Sequence, residues 1–300
     1  MKPLAEMNLV DDFLAHSLAS HKTYGEEASR FILECILQRR VRHLTVVSQK
    51  TWYGEDPQGH GVRLDLYLDE EDGEIFDMEP DSNGGAGDVA ALPRRVRFYH
   101  SKIDAGNLAA GEDYKALRNV VVIFITTYDP FGLKRMVYTI KNGCMEEPAL
   151  SYEDGARTIF LYTGGTEGKP PERLRQLARY MEHSTGENAQ TAGLARLHEI
   201  VTEVKADREV GLAYMKAFEV EKRIRDEGRA EGKEEGKAEG KAEAVMALLE
   251  EIGLVSEDLE KRLREQKDQD ILRKWLKLAA RVNSVEEFER QAGLIRAAGE

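Results

Sequence analysis

The sequence predicts an α/β fold, a mixed sheet flanked by helices, followed by an all-helical C-terminal region. Three observations carry this expectation. Leu64, Leu66 and Leu68 alternate with Arg63, Asp65, Tyr67 and Asp69, the period of a strand with one apolar face. Residues 119–128, Asn-Val-Val-Val-Ile-Phe-Ile-Thr-Thr-Tyr, are the most apolar run in the chain, and a continuous β-branched run suits a central strand buried on both faces. Beyond residue 170 the patterns are helical.

Residues 24–38 read as the first helix. Phe31, Ile32, Cys35 and Ile36 form its apolar stripe, with Glu26, Glu27 and Arg30 outside it. A strand is expected over 41–53, centred on Val46 and Val47. Two further strands cover 62–70 and the residues around Phe76 and Met78. The second of these is expected to end at Pro80, which cannot donate to a ladder. A Gly-rich exit, Ser82-Asn83-Gly84-Gly85-Ala86-Gly87, leads to a helix over 88–104. It has no P-loop Gly-Lys-Ser/Thr. After the central strand, Asp129-Pro130 turns the chain, and strands are expected over 135–140 and 157–163. Asp129 is read equally as a residue beyond a strand end, where sites often lie, and as a turn former.

A helix starts at Pro170-Pro171 and runs to about 183, since Pro suits the first turn. A longer helical region covers 187–225. The segment 227–241 then repeats Glu, Gly, Lys and Ala with a period of four. Each Gly in a helix interior costs about 1 kcal/mol relative to Ala. Its Gly stripe suits close approach of a second helix, including one from another copy, and a charged spacer explains it equally well. A short helix is expected over 244–252, then starts at Ser256 and Ser284 around a helix carrying Trp275. The expected organisation is a sheet-containing domain over 1–185, a helical region with the repeat over 186–243, and a small helical module over 244–300.

The chain has 300 residues and a net charge of −12. Nucleic-acid enzymes are more often basic, so the global charge argues mildly against DNA. The segment around 88–104 is the local exception, with Arg94, Arg95, Arg97, His100 and Lys102 beside Phe98 and Tyr99. Cations interleaved with aromatics suit a phosphate backbone. The bland alternative puts Val96, Tyr99 and Ile103 in the core, with the cations on a solvated face. Cys35 and Cys144 form neither a zinc nor a disulfide pattern. No stretch approaches a membrane span, and a cytoplasmic location is expected.

The hairpin carries the chemistry. Pairing Leu68 with Phe76 and Leu66 with Met78 brings the apolar residues together, leaving Glu71-Asp72-Gly73 as a three-residue loop closed by a left-handed Gly. That register sets Asp65 opposite Glu79, and Asp81 opposite Arg63. Facing carboxylates repel. A divalent cation such as Mg²⁺ offsets this repulsion, as does screening on a wet face.

The stretches Gly61-Val62-Arg63-Leu64-Asp65, Phe76-Asp77-Met78-Glu79 and Leu92 to Asp104 resemble the PD-(D/E)xK nuclease family transposases, the recombination-promoting nucleases of mobile elements. Met7 to Leu14, Gly111 to Lys115, Tyr128 to Phe131 and the Gly-Lys-Glu repeat are similar too. The resemblance implies a restriction-endonuclease-like core that cuts DNA phosphodiesters with Mg²⁺ or another divalent cation. Asp65 and Glu79 would be its metal carboxylates. A first-helix glutamate sometimes reaches the metal in this superfamily, making Glu34 a candidate beside its reading as a solvated helix residue. Arg94, Arg95, Arg97, Tyr99 and Lys102 would contact DNA. The family's Gln or the superfamily's Lys two residues after the second carboxylate is replaced here by Asp81. Three readings follow. Asp81 is a third ligand; another residue such as Lys50 supplies the cation; or the site is degenerate and the protein binds DNA or itself without cutting.

Overall fold

The computed structural model describes residues 2–52, 62–71 and 73–295. Two compact units divide the chain, Met1–Met215 and Lys216–Glu300.

The first unit opens with α1 (Asp12–Ala19) and α2 (Gly25–Leu37). β1 (Leu44–Trp52), β2 (Val62–Glu70) and β3 (Ile75–Asp81) follow as an antiparallel meander. α3 (Ala86–Asn107) crosses to β4 (Val120–Thr126), which pairs parallel to β3. β5 (Val137–Lys141) and β6 (Ala156–Tyr162) complete a six-stranded mixed sheet of order β1-β2-β3-β4-β6-β5. α4 (Glu172–Glu182) and α5 (Ala192–Ala206) close the layer.

The sheet separates two cores. Leu66, Leu68, Phe76, Met78, Val121, Ile123 and Ile125 pack with residues of α1, α2, α4 and α5. Tyr67, Ile75, Val122, Phe124 and Phe160 pack with Leu92, Val96 and Ile103 of α3. Every residue of β4 is buried, so the β-branched run is the central strand its composition indicates.

The hairpin has the expected register, with Leu68 opposite Phe76 and Leu66 opposite Met78. Three local expectations are corrected. β3 does not end at Pro80 but continues to Asp81, because β4 pairs with it there through Asp81 and Thr126. The ladder to β2 stops at Leu66 and Met78, short of the residue that lacks an N–H. Gly73 does not adopt the left-handed conformation; a Cβ there would lie 2.8 Å from the Glu70 side chain. Glu70 is itself fastened by Arg39 at 3.0 and 2.7 Å and by the Arg42 N–H at 3.1 Å. Leu64 does not share a face with Leu66: it packs in the α3-side core, so alternation fails at Asp65 between them. Asp72 and the Arg63 side chain, expected in the loop and opposite Asp81, lie outside the described residues.

The helical region over 187–225 is broken. A short 3₁₀ turn covers Gly186–Asn188, α5 ends at Ala206, and α6 (Arg208–Glu250) begins anew. Asp207 Oδ1 accepts from the N–H groups of Glu209 and Val210, satisfying donors exposed at a helix start.

In the second unit the Gly-Lys-Glu repeat lies within the continuous α6, so 244–252 is not a separate helix. Gly228, Gly232, Gly236 and Gly240 meet nothing that a Cβ would touch. The core of this unit is built instead from Ala238, Ala242, Val245 and Leu249 with residues of α7 (Glu257–Glu265), α8 (Gln269–Ala279) and α9 (Val285–Gln291). Ser256 and Ser284 cap α7 and α9 as their positions suggest. No described helix is long and apolar enough to cross a membrane.

Phe76 is fully buried among residues of the hairpin and α2-side core. Phe76→Ala should destabilise the first unit by about 3–5 kcal/mol, the usual cost of deleting a buried ring, read as a shifted chemical-denaturation midpoint at unchanged slope.

Candidate active site

β3 places three acidic residues, Asp77, Glu79 and Asp81, at every second position, the spacing that puts side chains on one face. All three are buried. This is the face covered by α3, and Arg95 of that helix meets two of them. Its Nη1 donates to Asp81 Oδ2 at 2.8 Å and its Nη2 to Glu79 Oε2 at 3.3 Å. Nε donates to the Tyr99 hydroxyl at 3.1 Å, and the guanidinium lies 4.9 Å from the centre of the Phe124 ring. Ring, hydroxyl and carboxylates together hold one orientation of the side chain. Tyr99 is partly buried, and burial with the Glu79 charge pushes its pKa up to about 12.

Asp65 and Glu79 are brought together, though not as a ladder pair. The Asp65 N–H donates to Glu79 Oε1 at 2.7 Å. Burial and the Asp65 charge raise the Glu79 carboxyl to about 7, against the opposing pull of that N–H, of a hydrogen bond with Asp77 and of Arg95. Asp77 is more extreme. It is completely buried, and no N–H or O–H donor among the described residues reaches its carboxylate oxygens, which lie against the Glu79 carboxyl. Burial, then the charge of Glu79 and a hydrogen bond shared with it, then the charge of Asp65, raise its pKa well above the carboxylate range.

Beyond Asp65, α1 contributes His16. Its Nε2 is 3.4 Å from Asp65 Oδ1 and its Nδ1 is 3.5 Å from Asp12 Oδ1. Burial opposes protonation of the imidazole, but Asp12 and Asp65 outweigh it and raise the pKa above its ordinary value.

The other expected residues are dispersed. Glu34 on α2 accepts from the Val41 N–H at 3.2 Å and lies 3.6 Å from Arg173, so a different part of the fold engages it. Lys50 Nζ sits 3.4 Å above the Tyr67 ring, and the cation beside Asp81 is Arg95 instead. Asp81 also accepts from the Asn83 N–H at 2.9 Å. Arg94 and Arg97 are exposed on α3, and Lys102 lies 5.4 Å from the centre of the Phe98 ring. Asp129 accepts from the Phe131 and Lys134 N–H groups and the Tyr138 hydroxyl, which makes it the organiser of its turn.

Two contributions escape sequence reasoning. Asp77 shares the period-two signal of Glu79 and Asp81, but nothing local marks it as the most buried of the three. Asp12 and His16 sit one helical turn apart, and only the fold brings them to Asp65.

A divalent cation fits this donor set. Asp65, Asp77 and Glu79 gather three carboxyl groups, and the Asp77 oxygens, which meet no N–H or O–H donor among the described residues, call for a proton shared with Glu79 or for a cation. Oxygen donors of this type suit Mg²⁺ or Mn²⁺.

Residues 20–142 match the family model described as PD-(D/E)XK nuclease family transposase. The matched segment spans α2 to β5 and holds Asp65, Asp77, Glu79, Asp81 and Arg95, and the mixed sheet with flanking helices is consistent with a PD-(D/E)XK nuclease fold. No curated protein and no solved structure matches the chain.

The raised Glu79 carboxyl makes a signed prediction for the metal-free protein. The folded state holds its proton to about pH 7, against an ordinary value of 4.5. Stability should therefore fall as pH rises between these values. In chelator above neutral pH, Glu79→Gln should be the more stable protein, by on the order of 1–3 kcal/mol. Equal melting temperatures of the two proteins across this range would remove the electrostatic conflict.

Proposed function

We propose that this chain is a divalent-metal-dependent DNA endonuclease. The observation that carries this reading is the convergence of Asp65, Asp77 and Glu79 beside Arg95, within the segment that matches the nuclease-family model. Asp65 and Glu79, with Asp77 beside them, would hold Mg²⁺ or Mn²⁺. A cation bound there supplies Lewis-acid polarisation of a phosphate and a lowered pKa for water.

The chain's own groups do the remaining work. Arg95 presents a guanidinium that stays charged at all working pH values, next to Glu79 and Asp81. It takes over the duty of the absent Lys or Gln at position 81, stabilising charge that develops on the phosphate. Asp81 tempers Arg95 and keeps it pointed at the cluster. Tyr99 and Phe124 fix the guanidinium and exclude water behind it. Arg94, Arg97 and Lys102 on the same helix would contact neighbouring phosphates and set the register of the DNA.

The competing reading is a site that binds DNA without cutting. One observation favours it: both Glu79 and Asp81 are occupied by Arg95, and Glu79 is 1% exposed. Nicking of supercoiled plasmid separates the two. Mg²⁺ or Mn²⁺ should support nicking and Ca²⁺ should not. Asp65→Asn and Glu79→Gln should each lower the rate at least about 100-fold, consistent with loss of charge-stabilising groups. Wild-type protein inert with every cation would favour the binding reading. Full activity in chelator would sink the metal reading.

The logarithm of DNA affinity should fall linearly with log salt, and Arg94→Ala with Arg97→Ala should make that slope shallower by roughly 0.9 for each phosphate no longer neutralised. An unchanged slope would return these two arginines to a solvated surface.

A further inference from the structure

His16 lies outside the segment that matches the nuclease family, on a helix that precedes it, yet its ring stands against Asp65. We propose that α1 supplies a nitrogen ligand to the cation site: His16 Nε2, with Asp12 and Asp65, tunes the site toward later first-row transition ions such as Co²⁺ over Mg²⁺. The inference rests on the reading that Asp65 holds a divalent cation.

The geometry argues for it in three steps. His16 Nδ1 is 3.2 Å from the Asp12 carbonyl oxygen. A carbonyl only accepts, so Nδ1 carries the hydrogen there, and in the neutral ring Nε2 is left with its lone pair. A backbone carbonyl that fixes the tautomer in this way is the usual support of a metal-binding imidazole. That Nε2 is buried, makes no hydrogen bond among the described residues and sits 3.4 Å from a carboxylate oxygen. A lone pair held against an anion repels it unless a proton or a cation lies between them. One donor atom each from Asp12, His16 and Asp65 lies within 4.8 Å of the others, a spread one ion can bridge. The two α1 residues stand one turn apart, so a single short helix delivers both.

The chemistry of the donors sets the preference. Mg²⁺ takes oxygen ligands and keeps its waters. Imidazole favours later first-row ions, and affinity for a mixed nitrogen and oxygen site rises along that row. An all-carboxylate site discriminates between these ions less steeply.

The test is titration calorimetry of the full chain with Mg²⁺, Mn²⁺ and Co²⁺, together with the visible absorption spectrum of the Co²⁺-loaded protein. Wild type should bind Co²⁺ more tightly than Mg²⁺. His16→Gln, which keeps bulk and polarity, should lower Co²⁺ affinity at least about tenfold, leave Mg²⁺ affinity within about threefold and change the Co²⁺ spectrum. Asp12→Asn serves as the second variant and should weaken both ions. If His16→Gln lowers only the melting temperature and leaves the Co²⁺ to Mg²⁺ ratio and the spectrum unchanged, the imidazole is a structural partner of Asp65 and the inference is overturned. Asp65→Asn separates that failure from a wider one. Loss of both ions in Asp65→Asn alongside an unchanged His16→Gln would leave the endonuclease reading standing, whereas wild-type protein that binds none of the three ions overturns both.

Discussion

Three carboxylates of β3, Asp77, Glu79 and Asp81, are buried, and among the described residues the guanidinium that meets them is Arg95, through Glu79 and Asp81. The rest of the site depends on this imbalance. Burying an ionised carboxylate without a partner is costly enough that the group takes a proton instead. Asp77 and Glu79 follow that rule, with raised pKa values caused first by burial. Arg95 relieves part of the conflict through Glu79 and Asp81. Phe124 and Tyr99 exist in their positions partly as the platform that holds Arg95 still.

The sheet makes the cluster geometrically unavoidable. β3 is held by β4 through Asp81, so its alternation keeps Asp77, Glu79 and Asp81 on the α3 side. β2 parts from β3 after Leu66 and Met78. Its freed Asp65 N–H then turns to the Glu79 carboxylate, while its side chain reaches His16. Asp65 thus joins two layers, touching the cluster on one side and α1 on the other. Leu64 and Leu66 packing in opposite cores is the structural trace of that roll.

The departure from the family pattern at Asp81 has a physical counterpart in α3. A negative charge two residues beyond Glu79 is hostile to a phosphate unless something neutralises it. Arg95 does so from one helix turn before Tyr99, at 2.8 Å. The acidic residue and the arginine form one unit, and neither is interpretable alone. The global charge of −12 is likewise a poor guide to the local field, because Arg94, Arg95 and Arg97 concentrate on one helix.

The sequence by itself determined the elements and much of their pairing. Period-two alternation defined the hairpin and its register, since a slip of one residue would expose Leu68 and Phe76. The β-branched run identified the central strand, and caps at Ser256 and Ser284 marked helix starts. Proximity of Asp65 and Glu79 was legible for the same reason. The tertiary structure alone decided the rest. Pro80 reads as a strand end because a sequence shows one missing N–H, not the neighbour that pairs on the other side. Arg95 reads as a surface cation because charge patterning cannot tell which of four basic residues on a helix points at the sheet. Asp77 looks like its neighbours because burial depends on what α3 lays over it. His16 carries no signal at all, because its meeting with Asp65 is made by chain segments 49 residues apart in sequence, through packing that no local pattern encodes.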